Sequence, residues 1–105
     1  MATKMRESDL SKEVAKRLDF LIKCNYPIFY YKTHGWIYQR IGLPDYILCY
    51  NGKFVACELK VGNNVLSTAQ QLIMLRLMKC GALCYGIVSI EEFNEMMLDL
   101  HSKVP

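Results

Sequence analysis

The chain has 105 residues, of which 52% are hydrophobic and 22% charged, too apolar for a disordered segment and too interrupted for a membrane span of ~20 residues. That length suits one domain around one core, since each half of a two-domain chain would be near the lower limit for an unsupported core. The formal charge of +3 is uneven, with 12 Lys and Arg against 6 Asp and Glu in residues 1–80 and one Lys against four acids in residues 81–105; so small an excess does not by itself select a nucleic-acid partner.

The first periodic segment runs from Ser8 to Lys23, where Leu10, Val14, Leu18, Leu21 and Ile22 recur at helical spacing. At about 100° per residue, Glu7 falls on the apolar stripe and Glu13 on its flank. Cys24-Asn25-Tyr26-Pro27 ends this helix, and Ile28-Phe29-Tyr30-Tyr31 reads as a strand whose Phe29 and Tyr31 are expected in core or edge packing. The aromatic and basic stretch from Lys32 to Arg40 reads as a loop. Tyr46–Tyr50 and Lys53–Leu59 are apolar runs separated by Asn51-Gly52, the pattern of a two-residue hairpin turn. Ser67-Thr68-Ala69-Gln70 matches a capping box opening a second helix with the stripe Leu72, Leu75, Met78, which Gly81 stops. Leu83–Val88 reads as a fourth strand. Ser89-Ile90-Glu91-Glu92 then opens a last helix with the stripe Phe93, Met96, Met97, Leu100. The order αβββαβα predicts an α/β fold with a hairpin followed by a helical crossover to a strand parallel to a neighbour.

Five cysteines, with no Cys-x-x-Cys pair and no secretory-leader pattern ahead of them, read as reduced core thiols of a cytoplasmic protein. Zinc held by Cys80, Cys84 and a histidine is the alternative, at a spacing that fits no common ligand pattern.

The hairpin register carries the chemistry. With Asn51-Gly52 as the loop, Tyr50 opposes Lys53 and paired residue numbers sum to 103, so Asp45 opposes Glu58 on the same face, with Lys60 two positions on. Facing carboxylates on an apolar hairpin need a counter-charge. Lys60 is one candidate, with Asp45 in a turn and Glu58 and Lys60 as a solvated edge pair. A hard divalent cation is the other: Mg²⁺ suits Asp45, Glu58 and the main-chain carbonyl of Leu59.

Gly42-Leu43-Pro44-Asp45, thirteen positions ahead of Glu58-Leu59-Lys60, with Leu66-Ser67-x-x-Gln70 at a helix start and Glu7-x-x-Leu10-x-x-x-Val14 in the first helix, resembles the VRR-NUC branch of the PD-(D/E)xK nuclease superfamily over nearly the whole chain. The resemblance implies a restriction-endonuclease-like αβββαβ core, a mixed sheet flanked by helices, here followed by a C-terminal helix. It also implies an endonuclease that hydrolyses DNA with Mg²⁺, or Mn²⁺, to 5′-phosphate products, as in a standalone phage or prophage nuclease. Asp45 and Glu58 would be metal ligands, Lys60 would hold water or stabilise phosphate charge, Glu7 would complete the acidic cluster with Glu13 as its rival, and Gln70, or Gln71, would be the accompanying polar residue. Ser11 departs from the pattern, standing where the family often has Gln.

Lys32, Trp36 and Arg40 precede Gly42 and are candidate DNA contacts, the cations on phosphates and the indole on a base. So short a chain leaves little room for a sequence-reading module, so branched or Holliday-junction-like DNA is the expected substrate and a homodimer the expected assembly for paired cuts. The alternatives are a non-catalytic DNA-binding or assembly module that keeps the fold, and an adaptor whose acidic last helix binds a basic partner. His34 and His101 have no supporting pattern.

Overall fold

The computed structural model describes residues 6–33, 40–62 and 65–105. Helix α1 (Glu7–Lys23) starts one residue earlier than its periodicity predicts and buries Leu10, Val14 and Leu18. The Asp9 carboxylate reaches back to the Arg6 backbone N–H at 3.3 Å, satisfying a donor that the helix start leaves open. Beyond Cys24, Asn25 adopts a φ of 68°, a left-handed residue that ends the helix and turns the chain into the sheet.

Strands β1 (Ile28–Lys32), β2 (Tyr46–Tyr50), β3 (Lys53–Leu59) and β4 (Leu83–Ile87) form one sheet in the order β1-β2-β3-β4. The first two pairings are antiparallel and β3 pairs with β4 in parallel, so the sheet is mixed. Tyr50 opposes Lys53 and Tyr46 opposes Cys57, the predicted register. The turn residues Asn51 and Gly52 have φ of 48° and 85°, the positive pair that a type I′ turn requires. Helices α2 (Thr68–Lys79) and α3 (Ile90–Lys103) complete an α/β fold in which three helices flank the sheet.

Alternation along the strands divides the sheet into two unlike faces. Ile28, Tyr46, Leu48, Tyr50, Val55, Cys57, Leu59 and Ile87 point to the side packed by α1 and α3, where they meet Leu10, Val14, Leu18, Phe93, Met96 and Leu100 in one core. The opposite face carries Ala56 and Glu58, both buried, with α2 packed against β4. Toward β1 the same face is less covered: Phe29 and Tyr31 are 71% and 55% exposed, because α2 packs on the β4 side.

Helix α2 also differs from the expected stripe. Leu72 and Leu75 are 61% and 60% exposed and Met78 is exposed with them, while Met74 is buried and Gln70, Ile73 and Leu77 lie partly inside. Six of the seven residues from Leu72 to Met78 are apolar, so the helix offers more than one apolar face to the sheet. The cysteines depart from a core assignment as well: Cys57 is buried and Cys84 partly so, but Cys24, Cys49 and Cys80 are exposed, and all five are free thiols. The second expected capping box is partial. Ser89 accepts the Glu92 N–H at 3.2 Å, but the Glu92 carboxylate takes the N–H of Val88 rather than that of the cap. Among the described residues no helix is long and apolar enough to cross a membrane.

Candidate active site

Asp45 lies one step before β2, clamped from both neighbouring strands. Its carbonyl accepts the Thr33 N–H at 2.9 Å, continuing the ladder from β1, and its Oδ2 accepts the Leu59 N–H at 2.8 Å from β3. The Thr33 hydroxyl adds a 2.6 Å bond to the Pro44 carbonyl. Because the N–H and C=O of a strand residue face the same neighbour, the Leu59 carbonyl lies on the Asp45 side of β3.

Gly42 explains how this loop meets the rest of the site. Its φ is +90°, and a Cβ there would stand 2.7 Å from the backbone carbonyl of Ala69 in the first turn of α2. Only a residue without a side chain permits that approach. The contact holds the Pro44-Asp45 segment against the helix that carries Gln70.

Glu58 follows Cys57, whose β2 partner Tyr46 is preceded by Asp45, and is 1% exposed. Its Oε1 accepts a 3.0 Å hydrogen bond from Gln70 Nε2, while its Oε2 is buried with no partner. Burial first, then the neighbouring Asp45 carboxyl, push Glu58 up to about 8; the positive charge of Lys60 opposes the shift and the negative charge of Glu7 adds to it. The charges of Asp45, Lys60 and Glu7 thus all act on Glu58.

Gln70 makes both the capping contacts and a contact to Glu58. Its Oε1 accepts the Ser67 N–H at 2.8 Å and its backbone N–H reaches Ser67 Oγ at 3.2 Å, closing the capping box, while its Nε2 serves Glu58. The rival Gln71 is exposed and donates to the Leu66 carbonyl at 2.9 Å. Glu7 and Glu13 are separated as clearly. Glu7 lines a cavity of about 180 Å³ with Ser8, Ser11, Lys32, Asp45 and Leu59, whereas Glu13 pairs with Lys16 at 3.6 Å on the helix surface.

Lys32 is the last residue of β1 rather than part of a loop, and its place in that cavity puts a cation beside the carboxylates. Lys60 is partly buried after β3, its N–H donating to the Ile87 carbonyl at 2.9 Å; among the described residues its side chain makes no salt bridge with either acid. Arg40 is exposed and does not line the cavity. Trp36 lies outside the described residues.

One pair escaped the sequence reading. Ser11 is buried, its Oγ 2.7 Å from the Tyr46 hydroxyl, which also donates to the Ser11 carbonyl at 3.0 Å. The available signal was a small polar residue beside Leu10 in an otherwise apolar stripe, facing an inward tyrosine of β2.

Among the described residues no three His, Cys, Asp or Glu side chains cluster in a way that could hold a metal ion. The donor set at this site is two carboxylates and a main-chain carbonyl. That set suits Mg²⁺, which is commonly bound through one or two carboxylates and retains water. The unpartnered Oε2 of Glu58 supports the fit, since a buried carboxylate oxygen without a donor is unfavourable unless protonated or met by a cation. Comparison of the chain with family models, with curated protein sequences and with solved structures finds no match.

Proposed function

We propose that the chain is a divalent-metal-dependent endonuclease that hydrolyses DNA phosphodiester bonds. The observation that carries this reading is Glu58, a buried carboxylate with no donor on one oxygen and the Asp45 carboxyl within hydrogen-bonding range, just beyond the last pair of the hairpin. Asp45, Glu58 and the Leu59 carbonyl would hold Mg²⁺ or Mn²⁺. When bound, the ion supplies Lewis-acid polarisation of the phosphate and a more acidic water. Gln70 orients the Glu58 carboxylate through its fixed amide. Lys60 provides positive charge against the negative charge that develops on phosphate, and Glu7 adds a carboxylate from α1. Lys32, at the cavity, is the first candidate for a phosphate contact, with Arg40 and Trp36 proposed from sequence alone.

Branched or junction DNA is the substrate class we propose, with shape rather than base sequence as the recognised feature. A homodimer is proposed with it, supported by the apolar surface exposed at Phe29 on the sheet and at Leu72 and Leu75 on α2. The same surface favours one other reading, a non-catalytic DNA-binding or assembly module that keeps the fold.

A cleavage panel of duplex, flap, single-strand and four-way-junction DNA with Mg²⁺ or Mn²⁺, run beside Asp45→Ala, tests the reading. Metal-dependent cleavage lost in Asp45→Ala supports it. Cleavage by the variant at the parent rate rejects the site, and no Mg²⁺ binding by the parent favours the assembly module.

A further inference from the structure

Satisfying both contacts between Ser11 and Tyr46 at once gives a hydrogen bond beside the proposed metal site its direction. Tyr46 has one phenolic proton and the Ser11 carbonyl, 3.0 Å away, only accepts, so both contacts are satisfied together when the phenol donates to the carbonyl. In that arrangement the 2.7 Å contact between Ser11 Oγ and the same phenol, in which either oxygen could donate, uses the serine proton. Ser11 is left with lone pairs and no proton to offer, and it lines the cavity with Glu7, Asp45 and Leu59. Glu7, Asp45 and the Ser11 hydroxyl give the lining its acceptors, beside the Ser8 hydroxyl and the Lys32 cation.

A hydrated divalent cation fits such a lining. Mg²⁺ gives up its water reluctantly, and the waters of its shell turn their protons outward as donors. We propose that Ser11, held as an acceptor by Tyr46, is a positioning residue that takes a hydrogen bond from a water of the cation's shell and so orients the hydrated ion between α1 and the hairpin. The inference rests on the metal-site reading above and assigns to α1 a role in ion binding beyond the charge of Glu7. Residues that act on a metal through its immediate surroundings typically change affinity by about 10–100-fold when removed.

The test uses Mn²⁺ alone as probe on the full chain, with affinity read by calorimetry or electron paramagnetic resonance and hydration read by the relaxation of water protons. Ser11→Ala and Tyr46→Phe are each expected to weaken Mn²⁺ by about 10-fold and to shift the water-proton relaxation of the bound ion. Tyr46→Phe added to Ser11→Ala should weaken it no further, because the tyrosine acts only through the serine hydroxyl. A purely structural role would lower the melting temperature and leave the relaxation of the bound ion unchanged. Affinity within twofold of the parent in the folded variants, or unchanged relaxation, overturns the proposal; if Asp45→Ala still abolishes binding in that case, the metal site itself stands. No Mn²⁺ binding by the parent overturns both. Should Ser11→Ala fail to fold, Tyr46→Phe decides alone.

Discussion

Gln70 donates to Glu58 through Nε2 at 3.0 Å while the other end of the same amide accepts the Ser67 N–H at 2.8 Å. The cap determines the amide's orientation, so the buried carboxylate always meets a donor. Gln70→Ala is expected to lose about 1 kcal/mol of stability in urea unfolding, from the cap and the buried bond. It should also weaken Mg²⁺ by about 10-fold, as loss of a ligand-orienting partner does. Gln71→Ala removes only an exposed bond to Leu66 and should leave both values within error.

Glu58 gives the stability of the metal-free protein a definite pH dependence. Its folded-state pKa is raised from 4.5 to about 8, so between those values the folded chain binds more protons than the unfolded chain. Stability is then greatest below pH ~4.5 as far as this group is concerned, and falls as pH rises through about 8. The expected loss is a few kcal/mol, measured as thermal or urea unfolding in chelator. Glu58→Gln should flatten the curve. Adding Mg²⁺ at pH 8 should restore stability to the parent but not to the variant, because only the ionised carboxylate gains from the cation.

At Gly42 a side chain would be strained twice, by a φ of +90° and by a Cβ 2.7 Å from the Ala69 backbone. Gly42→Ala is expected to destabilise by about 1–3 kcal/mol and to lower Mg²⁺ affinity, since relief of the clash moves the first turn of α2 and Gln70 with it. Gly86 lies in β4 with an ordinary φ and open space where its Cβ would be. Gly86→Ala should therefore be neutral within about 0.5 kcal/mol or slightly stabilising.

Lys32 provides the check on DNA contact. If it neutralises one phosphate, Lys32→Ala should reduce the slope of log Kobs against log salt by about 0.9 on duplex arms, measured by fluorescence anisotropy. Lys16, paired with Glu13 on the outer surface of α1, is the control, and Lys16→Ala should leave the slope unchanged.

The site was legible where local rules have one solution. A two-residue turn leaves one register, and the pairs from Tyr50–Lys53 to Tyr46–Cys57 follow it, which brings Asp45 and Glu58 to the same end of the hairpin. The helical angle placed Glu7 on the buried stripe, and it lines the cavity. The inward face of α2 was not legible, because six of the seven residues from Leu72 to Met78 are apolar and every stripe looks like a core stripe. The contacts made by its first turn, Ala69 on Gly42 and Gln70 on Glu58, join distant parts of the chain. The exposed Phe29 and Tyr31 have the same origin: their burial depends on how far α2 extends across the sheet, which no local pattern records. Ser11 was seen only as a departure from a motif, since its partner Tyr46 is 35 positions away.

The Asn51-Gly52 turn lies at the far end of the hairpin from the carboxylates, yet it acts as the ruler for them. One residue inserted there would slide β2 against β3 by a single step, and a single step reverses which side of the sheet each residue addresses. Asp45 and Glu58 would then point to opposite faces with both strands still intact and both side chains still present. The turn can thus vary in composition within its φ requirements but not in length, and a length change there would separate the two acids without altering either one.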